Sequence, residues 1–209
     1  MSDNSQPEDR AARRTRQIQE SHAAIGEFVE AFELLIHHVR SGCAQFIPAR
    51  QELSDIIFHH EAMTAKPLFE IWRALASVMR SLHSVNSPVK HGDSDTQIMN
   101  AVMKYIAKEY EMAVSNRNML LHGTWFIGWG NAETEDFSKI DLMKARVNST
   151  GLRHLETPKK KVEISALTQQ VRALRPLIVA ATFAVDRNAR FGDRFSRDGD
   201  KWLAPQTQA

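Results

Sequence analysis

The chain reads as a mainly α protein, an antiparallel helical bundle with a small antiparallel β insertion between its last two long helices. Three observations carry that reading. Apolar residues recur at three- and four-residue steps over long stretches, the period of helices with one buried face. The interval 124–164 instead holds aromatic and β-branched residues broken by turn formers. The 209 residues, 43% hydrophobic and 25% charged, have an ordinary globular composition and are enough for one sizeable core. One domain is expected over 17–190, between a flexible tail at 1–16 and a loosely ordered tail at 191–209.

The elements follow in order. Residues 1–16 are polar, with Arg10, Arg13, Arg14 and Arg16 close together, and carry too little apolar surface to offset ordering. These arginines suit a solvated terminus or, less commonly, phosphate contacts. From about Gln19 to Arg40, the residues Ile25, Phe28, Val29, Phe32, Leu35, Ile36 and Val39 form a helical stripe, and Ser41-Gly42 is expected to end it. A second helical region, about Ala49 to Leu82, has Leu53, Ile56, Ile57, Met63, Leu68, Ile71, Trp72, Leu75 and Val78 on its buried side. Proline is tolerated in a first turn or at a kink, so at Pro67 the helix either bends or restarts behind a Thr64 cap. Ser84 to Asp93 reads as a loop, after which Ser94 or Asp95 can cap a central helix marked by Ile98, Met99, Val102, Met103, Ile106, Tyr110 and Val114.

Strands are expected at Thr124 to Trp129, Leu142 to Val147 and Val162 to Ile164, the last two separated by Asn148 to Gly151 and by Pro158 with Lys159, Lys160 and Lys161. Ser165 then caps a final helix reaching about Asn188, its buried side drawn by Leu167, Val171, Leu174, Leu177, Ile178, Ala181 and Val185, with Pro176 marking a possible bend.

Composition narrows the function. No window approaches the roughly 18–20 apolar residues of a membrane span, and the opening MSDNSQPEDRAARR lacks the apolar core of a signal peptide. Cys43 alone allows neither an intrachain disulfide nor a cysteine zinc cluster, which fits a reducing compartment, and the cytoplasm is the default. A net charge of +2 and a pI near 8.8 leave nucleic-acid binding open without diagnosing it. His37-His38 and His59-His60-Glu61 lack a metal-binding spacing, because helix neighbours point about 100° apart, and read as surface or interface residues. No metal or cofactor is expected.

The stretch that concentrates chemistry is Ser115 to Trp125, SNRNMLLHGTW, at the end of the central helix. It combines Arg117, Asn118, His122 and a helix stop at Gly123. Arg117 and His122, five positions apart, are rotated by about 140° on an ideal helix and do not stack on one face. A long arginine and an unwinding helix end still let both border one groove. Cations near a helix C-terminus also occur merely because the terminal carbonyls favour them. Glu109 and Glu111 could position Arg117 or simply be solvated, Trp125 and Trp129 could stack on bases or pack in a core, and Lys159 to Lys161 could hold phosphate or form a solvated turn.

Arg117, Asn118 and His122, set in RNMLLHG at the end of the penultimate long helix, resemble the signature of the HEPN superfamily. That signature is an arginine, commonly followed by Asn, Asp or His, and a histidine four to six residues further on. The resemblance covers residues 19–123 and 165–190, with 124–164 as an insertion. Thr124 departs from the tyrosine found two residues after the histidine in the branch that pairs with nucleotidyltransferases. The resemblance implies a metal-independent endoribonuclease, with two copies of the motif lining the cleft of a homodimer, or else a non-catalytic module binding a nucleotide or a partner in the same groove. It also implies RNA as the macromolecular partner and admits a toxin or defence protein held by an antitoxin. The chemistry agrees. RNA carries its own nucleophile in the 2′-hydroxyl, so proton transfer by His122 and phosphate clamping by Arg117 suffice, with Asn118 orienting the imidazole or a ribose hydroxyl. The helix dipole at His122 favours the imidazolium and so a general acid.

Overall fold

The computed structural model describes residues 6–47, 63–86, 92–122, 124–127, 139–148, 151–156 and 159–205. The chain is mainly helical. Helix α1 spans Gln6–Phe46, α2 Ala65–Asn86, α3 Asp93–His122 and α4 Lys161–Asp186. Strands β1 (Thr124–Ile127), β2 (Lys139–Asn148), β3 (Gly151–Glu156) and β4 (Lys159–Lys160) lie between α3 and α4, and β5 (Ser196–Asp198) with β6 (Lys201–Leu203) follow α4. Among the described residues no helix is long and apolar enough to cross a membrane. The chain divides into two compact units, Met1–Phe32 with Ser115–Gln169 and Glu33–Val114 with Gln170–Ala209.

In the first unit, α1 already runs from Gln6, so 6–16 is helical rather than the tail expected. The local sequence accounts for it. Glu8 and Asp9 sit where a helix N-terminus favours acids, and Ala11, Ala12, Arg13 and Arg14 are strong helix formers. Ala24, Phe28, Ala31, Phe32, Leu120 and Ile164 are its buried apolar residues. Its sheet has the order β1-β2-β3, with β4 on β2, all antiparallel. The expected strand at 162–164 is the first turn of α4 instead. Chain pairing falls on Lys159–Lys160, and Ser165 lies inside the helix instead of capping it. Lys159 and Lys160 are therefore strand residues, not a turn. The unforeseen β3 has only leucines as apolar residues, a composition without β-branched or aromatic signal.

In the second unit, α1 continues through Ser41-Gly42 to Phe46. Gly42 is a packing glycine and not a stop, since a Cβ there would meet Trp72 Nε1 at 2.7 Å and Thr182 Oγ1 at 2.8 Å. The indole donates to that hydroxyl at 3.0 Å. Helix α2 restarts at Ala65 with Pro67 in its first turn, where a missing N–H costs nothing, and Leu68 N–H donates to the Thr64 carbonyl at 3.1 Å. The stretch expected to precede it, 49–62, lies outside the described residues. Phe69 stacks on Trp72 and on Tyr110, with centroids 5.4 and 4.0 Å apart, and the Tyr110 hydroxyl donates to the Ala65 carbonyl at 2.8 Å.

The end of α4 is a Schellman cap. Asn188, at φ 49°, donates to the Val185 carbonyl, and Ala189 N–H reaches back to Ala184 at 2.8 Å. Beyond it the expected loose tail is ordered. Phe191 and Phe195 are buried and stacked at 5.2 Å, and β5 pairs with β6 through a turn holding Gly199 at φ 57°. Two aromatics four residues apart are enough apolar surface to hold a short polar segment.

Candidate functional site

The last turns of α3 belong to the first unit and carry the predicted site. Leu120, fully buried, anchors this turn, while Arg117 and Asn118 are half-buried and His122 is exposed. The five-residue spacing does not keep the groups apart. Arg117 Nη1 stands 3.4 Å from Asn118 Oδ1 and 3.4 Å from His122 Nε2, so the reach of the guanidinium spans the rotation that the helix imposes. Both contacts are at the long end of hydrogen bonding, which leaves them open to replacement by a ligand oxygen. Arginine has no acceptor, so a hydrogen bond to Nε2 needs a lone pair there, the neutral tautomer with its proton on Nδ1. In that state His122 presents a base at Nε2, whereas the dipole argument favoured an acid.

Sequence reading missed one partner of this cluster. The Arg117 guanidinium lies over the ring of Phe32 on α1, 5.9 Å from the centroid, and Phe32 is only 2% exposed. That contact, worth about 0.5–2 kcal/mol, joins residues far apart in the chain, and no local pattern announces it. Arg117 Nε is buried and finds no hydrogen-bond partner among the described residues. A buried donor left unmade costs about 1–3 kcal/mol, which an anion's oxygen would recover. Nη1 is thus spent on Asn118 and His122. Gly123 lies outside the described residues, and Thr124 opens β1.

Glu109 and Glu111 belong to the second unit, where Glu109 and burial push the Tyr105 hydroxyl up, burial being the larger cause. His37 and His38 meet edge to face at 5.8 Å, and burial, then Arg175 and His37, lower the His38 pKa. Among the described residues no group of three or more His, Cys, Asp and Glu is placed to hold a metal ion. His59, His60, Glu61 and Trp129 lie outside the described residues.

The second unit also holds an open groove of about 730 Å³, bordered by Glu70, Arg73, Ser77, Arg80, Thr96 and Asn188 among others. Its inner cation is already engaged: Arg80 contacts Asp95 at 2.9 Å, Asn188 Oδ1 at 3.2 Å and the Ala189 carbonyl at 3.3 Å. Among the described residues neither His nor Cys borders it.

No protein-family model, curated protein or solved structure matches the chain.

Proposed function

We propose that the chain is a metal-independent endoribonuclease of the HEPN kind, cleaving RNA by attack of the substrate's own 2′-hydroxyl. The observation that supports this most directly is the meeting of Arg117, Asn118 and His122, with Arg117 Nη1 3.4 Å from both Asn118 Oδ1 and His122 Nε2. In this reading neutral His122 takes the 2′-hydroxyl proton at Nε2. The 2′-oxygen attacks the adjacent phosphorus, the bond to the 5′-oxygen breaks, and a 2′,3′-cyclic phosphate and a 5′-hydroxyl result. Arg117 neutralises the charge that builds on the phosphate oxygens, with Nε among its donors, and Asn118 holds the guanidinium in place. One arginine and one histidine do not surround a phosphodiester, so the working form is a two-fold dimer in which two copies share a cleft and the second His122 protonates the leaving oxygen.

Purified protein incubated with total RNA in EDTA is expected to cut it. His122→Ala and Arg117→Ala should each slow the reaction by about 10²–10⁴-fold, and Asn118→Ala by less. DNA, and RNA carrying one 2′-deoxy sugar at the cut site, should stay intact. Light scattering should report a dimer. A reaction stopped by EDTA and restored by Mg²⁺, cutting at the deoxy-substituted bond, or a fully active monomer would refute the mechanism. Tight nucleotide binding without turnover would assign the same groove to a non-catalytic binding module.

A further inference from the structure

Helix α2 presents three faces. At about 100° per residue, Leu68, Phe69, Trp72 and Ala76 share one side, and all four are buried in the core of the second unit. Ile71, Leu75, Val78, Leu82 and Val85 follow one another at alternating four- and three-residue steps, the spacing of a helix-packing seam, and fall within an arc of about 80°. Folding leaves the outer part of this second stripe unused. Toward the end of the helix it stands in solvent as a ridge, with Val78 55%, Leu82 50% and Val85 80% exposed.

The third face adjoins the ridge. Ala74, Ser77, Ser81 and Ser84 occupy the next arc of about 80° and border the open groove of about 730 Å³, to which α3 contributes Met99 and Met103. The short side chains of α2 keep this groove open, and unbranched thioethers adapt to what enters it. Ridge and groove therefore lie side by side on one helix and run along the same stretch of it. The ridge arc holds no charged residue, and the charges beside the groove are already paired, Glu70 with Arg73 at 3.4 Å and Arg80 with Asp95 at 2.9 Å. Neither feature would repel a copy of itself.

We infer that this face is a homodimer interface in which the ridge of Val78, Leu82 and Val85 on one copy seats in the α2–α3 groove of the other. Self-complementarity identifies the occupant. A two-fold axis parallel to α2 sets two α2 helices side by side in the same direction and turns the ridge of each toward the groove of its partner, so one operation forms two identical contacts. Ridges seated in grooves are the usual geometry of packed helices. A foreign helix would use the ridge or the groove, whereas a second copy uses both and removes the exposed apolar surface of both chains from water. The inference goes beyond the nuclease reading, which calls for two copies without assigning the faces that meet, and it stands on α2 and α3 whether or not the chain cuts RNA.

Light scattering on the full chain over a concentration series provides the test. The parent should approach twice the 23.7 kDa subunit mass. Val78→Asp sets a carboxylate on the ridge and Ser81→Lys an ammonium in the groove. Either variant alone would bury an unpaired charge in both contacts of its dimer, and should fall to the subunit mass where the parent is dimeric. Leu82→Asp, on the same ridge, should behave as Val78→Asp does. An equimolar mixture of V78D and S81K has one unaltered contact and one in which the new carboxylate meets the new ammonium, so the dimer should return. Both positions are exposed, and helicity and melting temperature should match the parent's. Single variants that remain dimeric would place the interface elsewhere and overturn the inference while sparing the nuclease reading. A parent that is monomeric throughout the series, or two folded monomeric variants that do not combine on mixing, would overturn it as well. A monomeric V78D that cleaves RNA as the parent does would keep this interface and refute the shared cleft.

Discussion

Arg117 illustrates how much one side chain can settle. Its length bridges a separation that helix geometry opposes, its face rests on Phe32, and its buried Nε finds no hydrogen-bond partner among the described residues. Cys43 is the opposite case, a reactive residue type made inert by position. It is fully buried, and burial pushes its thiol up from 9.0 to about 12. Folding thus favours the neutral thiol. The associated stability is whole below about pH 9, where the unfolded thiol is also protonated, and is lost as pH climbs toward about 12. Tyr110, its hydroxyl raised chiefly by burial, changes stability in the same direction. Native protein at pH 8 is expected to resist thiol alkylation, read by mass spectrometry, until denaturant exposes Cys43, and its melting temperature should fall steadily above pH 9. Rapid labelling of the folded chain would contradict both expectations.

At the scale of elements, the boundaries depend on what each helix end touches. Ser41-Gly42 has the composition of a helix stop, yet α1 passes through it because Trp72 and Thr182 occupy the space that a side chain would need. Alanine gains up to about 1 kcal/mol in helix propensity over glycine. Against that stands overpacking of about 1–3 kcal/mol and displacement of a buried indole from its acceptor. Gly42→Ala should therefore destabilise the protein by about 1–2 kcal/mol, measured by urea unfolding. A stabilised variant would show that Trp72 yields without loss. Asn188 makes the complementary point, since a real stop has a residue in the left-handed region and the two reciprocal bonds of the cap.

At the scale of the whole chain, the second of the two compact units is closed by an ion pair. Arg80 and Asp95 meet at 2.9 Å with side chains only 12% and 9% exposed, and Asp95 also accepts from Gly192 N–H at 3.0 Å. Through these contacts α2, the start of α3, the end of α4 and the C-terminal segment are tied together. Burial pushes the Arg80 pKa down and Asp95 opposes that push, so the guanidinium depends on its partner. Removing one member of such a pair strands the other in low dielectric. Asp95→Ala should cost about 3–5 kcal/mol, and replacing Arg80 and Asp95 together by Met and Leu should recover most of it. Equal losses in the single and double variants would show that the cost is not that of a stranded charge.

The sequence by itself determined the helical character of the chain, the place of a small β insertion and the residues with chemistry to offer. Periodic burial along α3 and α4, and Pro67 in a first turn, are local patterns that need no partner to be read. The same holds for Arg117, Asn118 and His122, whose types and spacing are written in one stretch. Only the tertiary structure decided that Gly42 continues a helix, that Phe191 and Phe195 order the chain end, that Phe32 lies beneath Arg117, and that Arg146 is the register partner of Arg153. Each of these depends on a residue distant in sequence or on a strand register. A one-residue slip in register would exchange every residue between the two faces of a strand, and periodicity within a segment does not specify its partner.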